Sequence, residues 1–157
     1  MVSTQGRPLF GVVNTQNSAG YISFGTFYNT GYANNTSLAT FTDTSPATLT
    51  FSNVTSVPTG WRNYTVVFKN NTAVELYING VFVQSGTHAW STYKPQFLTA
   101  LNTKGNNFNI GTSVTPTVGS TSEGAMAEIS LFKTSLTSGQ IYQYYQYATG
   151  RYGNLSS

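Results

Sequence analysis

The chain has no cysteine, a single histidine (His88) and only four acidic residues: Asp43, Glu75, Glu123 and Glu128. No disulfide can brace it, and a zinc site would be short of donors. Seven basic residues bring the formal charge to +3, but Arg7, Arg62, Lys69, Lys94, Lys104, Lys133 and Arg151 are scattered singly. Nucleic-acid binding rests on clustered phosphate neutralisation, so no nucleic-acid partner is expected. Charged residues make up 7% of the sequence, against a usual value of about 25%. No apolar run approaches the roughly 20 residues of a spanning helix, and the N-terminus has no basic and apolar signal pattern, so no membrane insertion is expected.

What fills the chain instead is aromatic and uncharged polar. Phe, Trp and Tyr reach 15% of 157 residues. A chain of that length is enough for one domain that buries roughly two-thirds of its unfolded surface. Its exterior is then built from Asn, Ser, Thr and Tyr. Sequons of the Asn-x-Ser/Thr type stand at Asn34, Asn35, Asn53, Asn63, Asn70 and Asn154 and make these the glycosylation candidates, although a composition this rich in Asn, Ser and Thr generates sequons freely.

Short β-branched or aromatic runs recur between Gly, Pro, Asn and Ser: "GYISFGTF" (20–27), "SLATFTD" (37–43), "TLTFSN" (48–53), "NYTVVFK" (63–69), "NNFNIGT" (106–112) and "AMAEISLF" (125–132). Between them lies "VELYINGVFVQSG" (74–86), where Asn-Gly separates two apolar runs and asks for a two-residue turn with both central φ values positive. Simple closure pairs Ile78 with Val81, Tyr77 with Phe82, Leu76 with Val83 and Glu75 with Gln84. Leu76, Ile78, Val81 and Val83 would form one core face, with Tyr77 and Phe82 as an aromatic pair on the other.

The segment "SLTSGQIYQYYQYATG" breaks the strand pattern. Thr137 and Gln140 fit a capping box, Ile141, Tyr144, Tyr145 and Ala148 recur at helical spacing, and Gly150 is placed as the residue past the helix end. The stripe is expected to pack on the sheets. The whole reads as an all-β, antiparallel two-sheet sandwich with one short C-terminal α-helix of about three turns.

From Trp61 onward the order "WRNYTVVF", "VELYINGVFV", "FNIG", "GAMAEISLFKTSLTSGQIYQYY" resembles the laminin-G-like jelly roll of the concanavalin A-like lectin and glucanase superfamily. The matching positions are Trp61, Leu76 to Gly80, Ile110, Gly111, Gly124, Met126, Glu128, Ile129, Leu131, Phe132, Leu136 and Thr137. The resemblance covers about residues 61 to 146 and implies a jelly roll over one domain, 1–157. The family's usual acidic residue before Glu128 is Ala127 here. The few residues before "PLFGVV" leave little room for the family's opening strands. They fit the C-terminal part of a longer protein, or a fold in which residues 20 to 53 replace those strands.

Enzymes of the superfamily carry an E-x-D-x-x-E strand. "EGAMAE" sets Glu123 and Glu128 at the right separation, but Ala125 stands where the Asp would tune their pKa values, which argues against glucan hydrolysis. His88 has no nucleophile elbow to serve, and reads as a surface loop residue or a stacking neighbour of Trp90. No cofactor is expected; the Ca²⁺ of many relatives would have to rely on Asn and backbone oxygens.

Sugar recognition needs an aromatic face and hydrogen-bonding side chains. The ligand-binding candidates are Trp90 and Tyr93 with His88, Asn106 and Asn107, flanked in sequence by Gln96 and Asn102, and a second platform at Tyr77 and Phe82. The plainer reading is that Trp90 and Tyr93 pin a long loop to the sheet edge. The expected function is a non-enzymatic recognition module binding a glycan or a cell-surface receptor, in adhesion or viral attachment, at the extracellular, cell or virion surface. The rival is a structural subunit of a virion, fibre or pilus, held as a homo-oligomer or against neighbouring domains.

Overall fold

The computed structural model describes residues 6–13, 21–29, 32–41, 46–51, 61–70, 72–88, 107–110 and 127–152, with side chains at 51, 61–70, 72–88 and 127–152. The described strands are β1 (Gly6–Val13), β2 (Tyr21–Asn29), β3 (Tyr32–Phe41), β4 (Pro46–Phe51), β5 (Tyr64–Phe68), β6 (Ala73–Ile78), β7 (Val81–Thr87) and β8 (Asn107–Ile110). One helix is described, α1 (Ser138–Tyr152). The strands form two antiparallel sheets, ordered β4-β3-β2-β1-β8 and β5-β6-β7. β4 approaches β7, and the last residue of β4, Phe51, is fully buried. The chain is mainly β with one C-terminal helix, as its residues lead one to expect.

β1 was not among the strands read from the sequence. Proline has no N–H to give a ladder, yet Pro8 lies within a strand that pairs on both sides. The register slips between Pro8 and Phe10, so the proline sits at the irregularity that accommodates it. A second difference concerns "AMAEISLF": over residues 127–132 the backbone is not a strand, and every residue but Ile129 is exposed. Its polar side chains bond to one another and to α1, as described below.

The Asn79-Gly80 turn forms as expected, with φ of 52° and 76°. Tyr77 pairs with Phe82 and Ile78 with Val81, but the register slips between Leu76 and Tyr77, so that Leu76 faces Gln84 and Glu75 faces Ser85. This bulge leaves Val83 out of the ladder. It corrects the expected core face: Leu76 and Ile78 are buried, whereas Val81 and Val83 are 60% and 38% exposed. Both valines lie on β7, an edge strand of its sheet among the described residues.

The central strand β6 is enclosed on two sides. Val74, Leu76 and Ile78 alternate toward one face, while Tyr77 on the opposite face packs with Val67 of β5 and Ile141 of α1. Burial of side chains of this size stabilises by about 1.5–3 kcal/mol each. Gly80 is held under the helix: a Cβ there would lie 3.0 Å from Tyr145 Cβ and 3.1 Å from Tyr142 Cδ2. Glycine is thus required twice, for its positive φ and for this close approach.

α1 starts where its capping box says. The Gln140 amide N–H donates to Thr137 Oγ1 at 3.3 Å and the Thr137 N–H donates to Gln140 Oε1 at 2.9 Å. Leu136 packs on the cluster containing Ile141, a hydrophobic staple across the cap. Ser135 Oγ donates to the Phe68 carbonyl and moors this entry to the end of β5. Within the expected stripe, Ile141 and Ala148 are buried and Tyr144 and Tyr145 half-buried. The helix continues through Gly150 to Tyr152, so Gly150 is not its terminator.

Candidate functional site

β7 joins two expected site elements at opposite ends. Phe82 is next to the turn, half exposed, and meets Tyr77 edge-on at 5.6 Å between ring centroids. Tyr77 itself is 3% exposed. Its hydroxyl donates to Glu75 Oε2 at 2.8 Å, and Lys69 Nζ lies 3.5 Å from the same oxygen. Burial first, and the Glu75 carboxylate second, push the phenol up to about 12. A ring buried beneath α1 offers no open stacking face, so the Tyr77–Phe82 platform reduces to Phe82.

His88 follows the last residue of β7. It is buried, not a surface loop residue, and its backbone N–H donates to the Thr72 carbonyl at 2.7 Å. Asn70 shapes the turn beneath it, accepting from the N–H groups of Thr72 at 2.9 Å and Ala73 at 2.8 Å, so the chain leaves β7 from a fixed root. At about 3.3 Å per residue, Phe82 and His88 are some 20 Å apart along the strand. One small sugar cannot bridge them. Trp90, Tyr93, Gln96, Asn102 and Asn106 lie outside the described residues, and Asn107 is placed by backbone alone as the first residue of β8.

Among the sequons, Asn63 is half-buried at the start of β5 and Asn70 is exposed. In each the threonine two positions on donates to the asparagine Oδ1: Thr65 at 3.3 Å and Thr72 at 3.5 Å. Asn34 and Asn35 fall in β3, and Asn53 and Asn154 lie outside the described residues.

The densest polar cluster among the described residues has no signature in the sequence. Glu128 Oε1 accepts from Ser130 Oγ at 3.1 Å and from the Tyr144 hydroxyl; Glu128 Oε2 accepts from the Tyr152 hydroxyl at 3.1 Å. Ser130 Oγ and the Tyr144 hydroxyl are 2.6 Å apart. The Tyr144 bond, followed by those of Tyr152 and Ser130, holds the Glu128 carboxyl below its ordinary value. Burial and the carboxylate raise both tyrosines. Phe132 meets Tyr144 edge-on at 5.5 Å, Tyr144 and Tyr147 are 6.4 Å apart, and the Arg151 guanidinium carbon is 5.3 Å from the Tyr152 ring centre.

A carboxyl held ionised by three hydroxyls is poorly suited to protonate a leaving group. Glu123, the other member of the carboxylate pair weighed from the sequence, lies outside the described residues. No three His, Cys, Asp or Glu side chains converge among the described residues. No described helix is long and apolar enough to cross a membrane.

Residues 3–142 match the family model described as the Concanavalin A-like lectin/glucanases superfamily, and the chain belongs to that family. Among solved structures it is similar to an S-layer domain-containing protein (residues 221–444) from Clostridium thermocellum ATCC 27405, at 17% identity and a TM-score of 0.44, over 92% of this chain and 65% of that one. The chain thus spans slightly less than two-thirds of that structure. No curated protein matches it.

Proposed function

We propose that the chain is a non-catalytic, surface-exposed recognition module that binds glycans or a cell-surface partner by shallow stacking and hydrogen bonds. The observation that carries the reading is the state of Glu128 in a chain of the lectin and glucanase superfamily: its carboxylate is committed to Ser130, Tyr144 and Tyr152 and does not stand open as an acid. The two sheets are read as the layers of a jelly-roll sandwich, which the approach of β4 to β7 and the burial of Phe51 support. Trp90 and Tyr93, leaving from the fixed root at His88, supply the main aromatic contact, with Asn106 and Asn107 hydrogen bonding beside it. Phe82 is a separate contact at the turn. The setting is extracellular, at a cell or virion surface, where the exposed Asn70 is the best-placed described sequon.

A glycan array tests this directly. Binding by the intact chain that is lost in Trp90→Ala, with no release of reducing sugar from soluble glucans, is the expected result. Binding unchanged in Trp90→Ala overturns the loop assignment, and turnover lost in Glu128→Gln overturns the non-catalytic reading.

One observation favours a second reading, a structural subunit of a larger assembly: Val81, Phe82 and Val83 form an exposed apolar stretch on an edge strand that carries no charge. Light scattering separates the two, since a clean monomer that binds glycans supports recognition and a concentration-dependent oligomer supports assembly.

A further inference from the structure

We infer that the exposed side of α1, together with residues 128–132, is a second carbohydrate surface, built from residues other than those of the Trp90 loop, that takes a neutral, hydroxyl-rich sugar. Phe132 and Tyr147 are 50% and 59% exposed and flank Tyr144, so two aromatic faces are open to the apolar side of a pyranose. The Glu128 carboxylate bridges the hydroxyls of Tyr144, the ring they flank, and Tyr152.

The hydrogen-bond inventory selects the ligand. Ser130, Tyr144 and Tyr152 have one hydroxyl proton each, and the network around Glu128 absorbs all of them. A carboxylate offers about four acceptor positions, and one on Oε2 remains beyond those the three hydroxyls fill. Glu128 therefore presents an acceptor outward and the exposed Arg151 guanidinium presents donors, so the ligand must give hydrogen bonds and can also accept them. Ammonium groups only give; sugar hydroxyls do both. Arg151 decides between them, because its guanidinium already lies over Tyr152 and beside Tyr147, where an ammonium ion would sit, and repels a second cation. A neutral polyol with an apolar face meets no such repulsion.

The test uses the intact chain, NMR detection of the Phe132, Tyr144 and Tyr147 rings, and four probes, the methyl glycosides of glucose, galactose, mannose and N-acetylglucosamine, with choline as a cationic comparison. At least one glycoside should shift these rings at concentrations of about 1–50 mM, the range of single-sugar affinities. Tyr147→Ala and Phe132→Ala should each weaken that binding about fivefold or more, with the fold checked by circular dichroism, and Trp90→Ala should leave it unchanged. No ring shift with any glycoside, a response to choline alone, or binding lost in Trp90→Ala and retained in Tyr147→Ala would each overturn the inference. Since this surface is read out by its own rings, its failure leaves the loop assignment standing, and the reverse holds as well.

Discussion

Asn63 and Asn79 are joined by two hydrogen bonds across sixteen positions: the Asn79 N–H donates to the Asn63 carbonyl at 2.9 Å, and the Asn63 N–H donates to Asn79 Oδ1 at 3.0 Å. The turn residue with positive φ thereby clamps the start of β5 to the tip of the β6–β7 hairpin. Asn79→Ala should cost about 2 kcal/mol, one part from the lost hydrogen bond and one from alanine at positive φ. Asn79→Gly keeps the backbone conformation and should cost about half of that. Urea unfolding of the three proteins measures both; an Asn79→Gly variant as stable as the wild type would mean that the side-chain bond contributes nothing, and equal losses in the two variants would mean that the positive φ costs alanine nothing.

The reciprocal cap at Thr137 is exposed, so its removal reports the helix end with little repacking. Thr137→Ala should destabilise by about 1 kcal/mol, and Thr137→Ser should recover most of the loss. Amide exchange at Gln140 and Ile141 should quicken in the alanine variant first.

Much of this local structure was legible in the residues, because the signals are covalent and near in sequence. Asn-Gly admits few turns, and Thr137 with Gln140 needs only one helical turn to meet. The β6 pattern gave Leu76 and Ile78 as core, while the bulge that displaces Val83 depends on how β7 lies against its neighbours, which alternation does not encode. Tyr77 and His88 were read as open or peripheral and are buried, since what covers Tyr77 is Ile141, some sixty positions away. The Glu128 cluster eluded the sequence for a similar reason. Glutamate, serine and two tyrosines at 128, 130, 144 and 152 have no spacing rule, and they meet because the helix returns along residues 127–132.

Tyr77 supplies an alkaline signature. Its phenol is raised from 10.0 to about 12, so the folded state favours the protonated form. The stability this contributes is fully present below pH 10 and is lost as pH rises toward 12. Absorbance of tyrosinate should show a group titrating near 12 that disappears in Tyr77→Phe, apart from the raised Tyr144 and Tyr152, which persist in that variant. A wild-type titration that finishes near pH 10 would contradict the buried hydrogen bond to Glu75.

Glu128 works in the opposite direction. Its carboxyl is depressed below 4.5 by hydroxyl donors, so its contribution is present above that value and fades as pH falls through the lower folded value. In carboxyl-detected NMR, Tyr144→Phe should move the Glu128 midpoint up toward 4.5, since the Tyr144 hydroxyl is the largest cause of the depression. An unmoved midpoint would show that the two groups are not bonded in solution.

The placement of α1 over Tyr77 limits how this protein meets anything else. A small sheet roofed in this way keeps its β6 floor from partners, so contact on that side falls to the helix's own outward tyrosines, to the β7 margin and to whatever departs beyond His88. Evolution could therefore rewrite those rims freely while the packed layers beneath stayed the same.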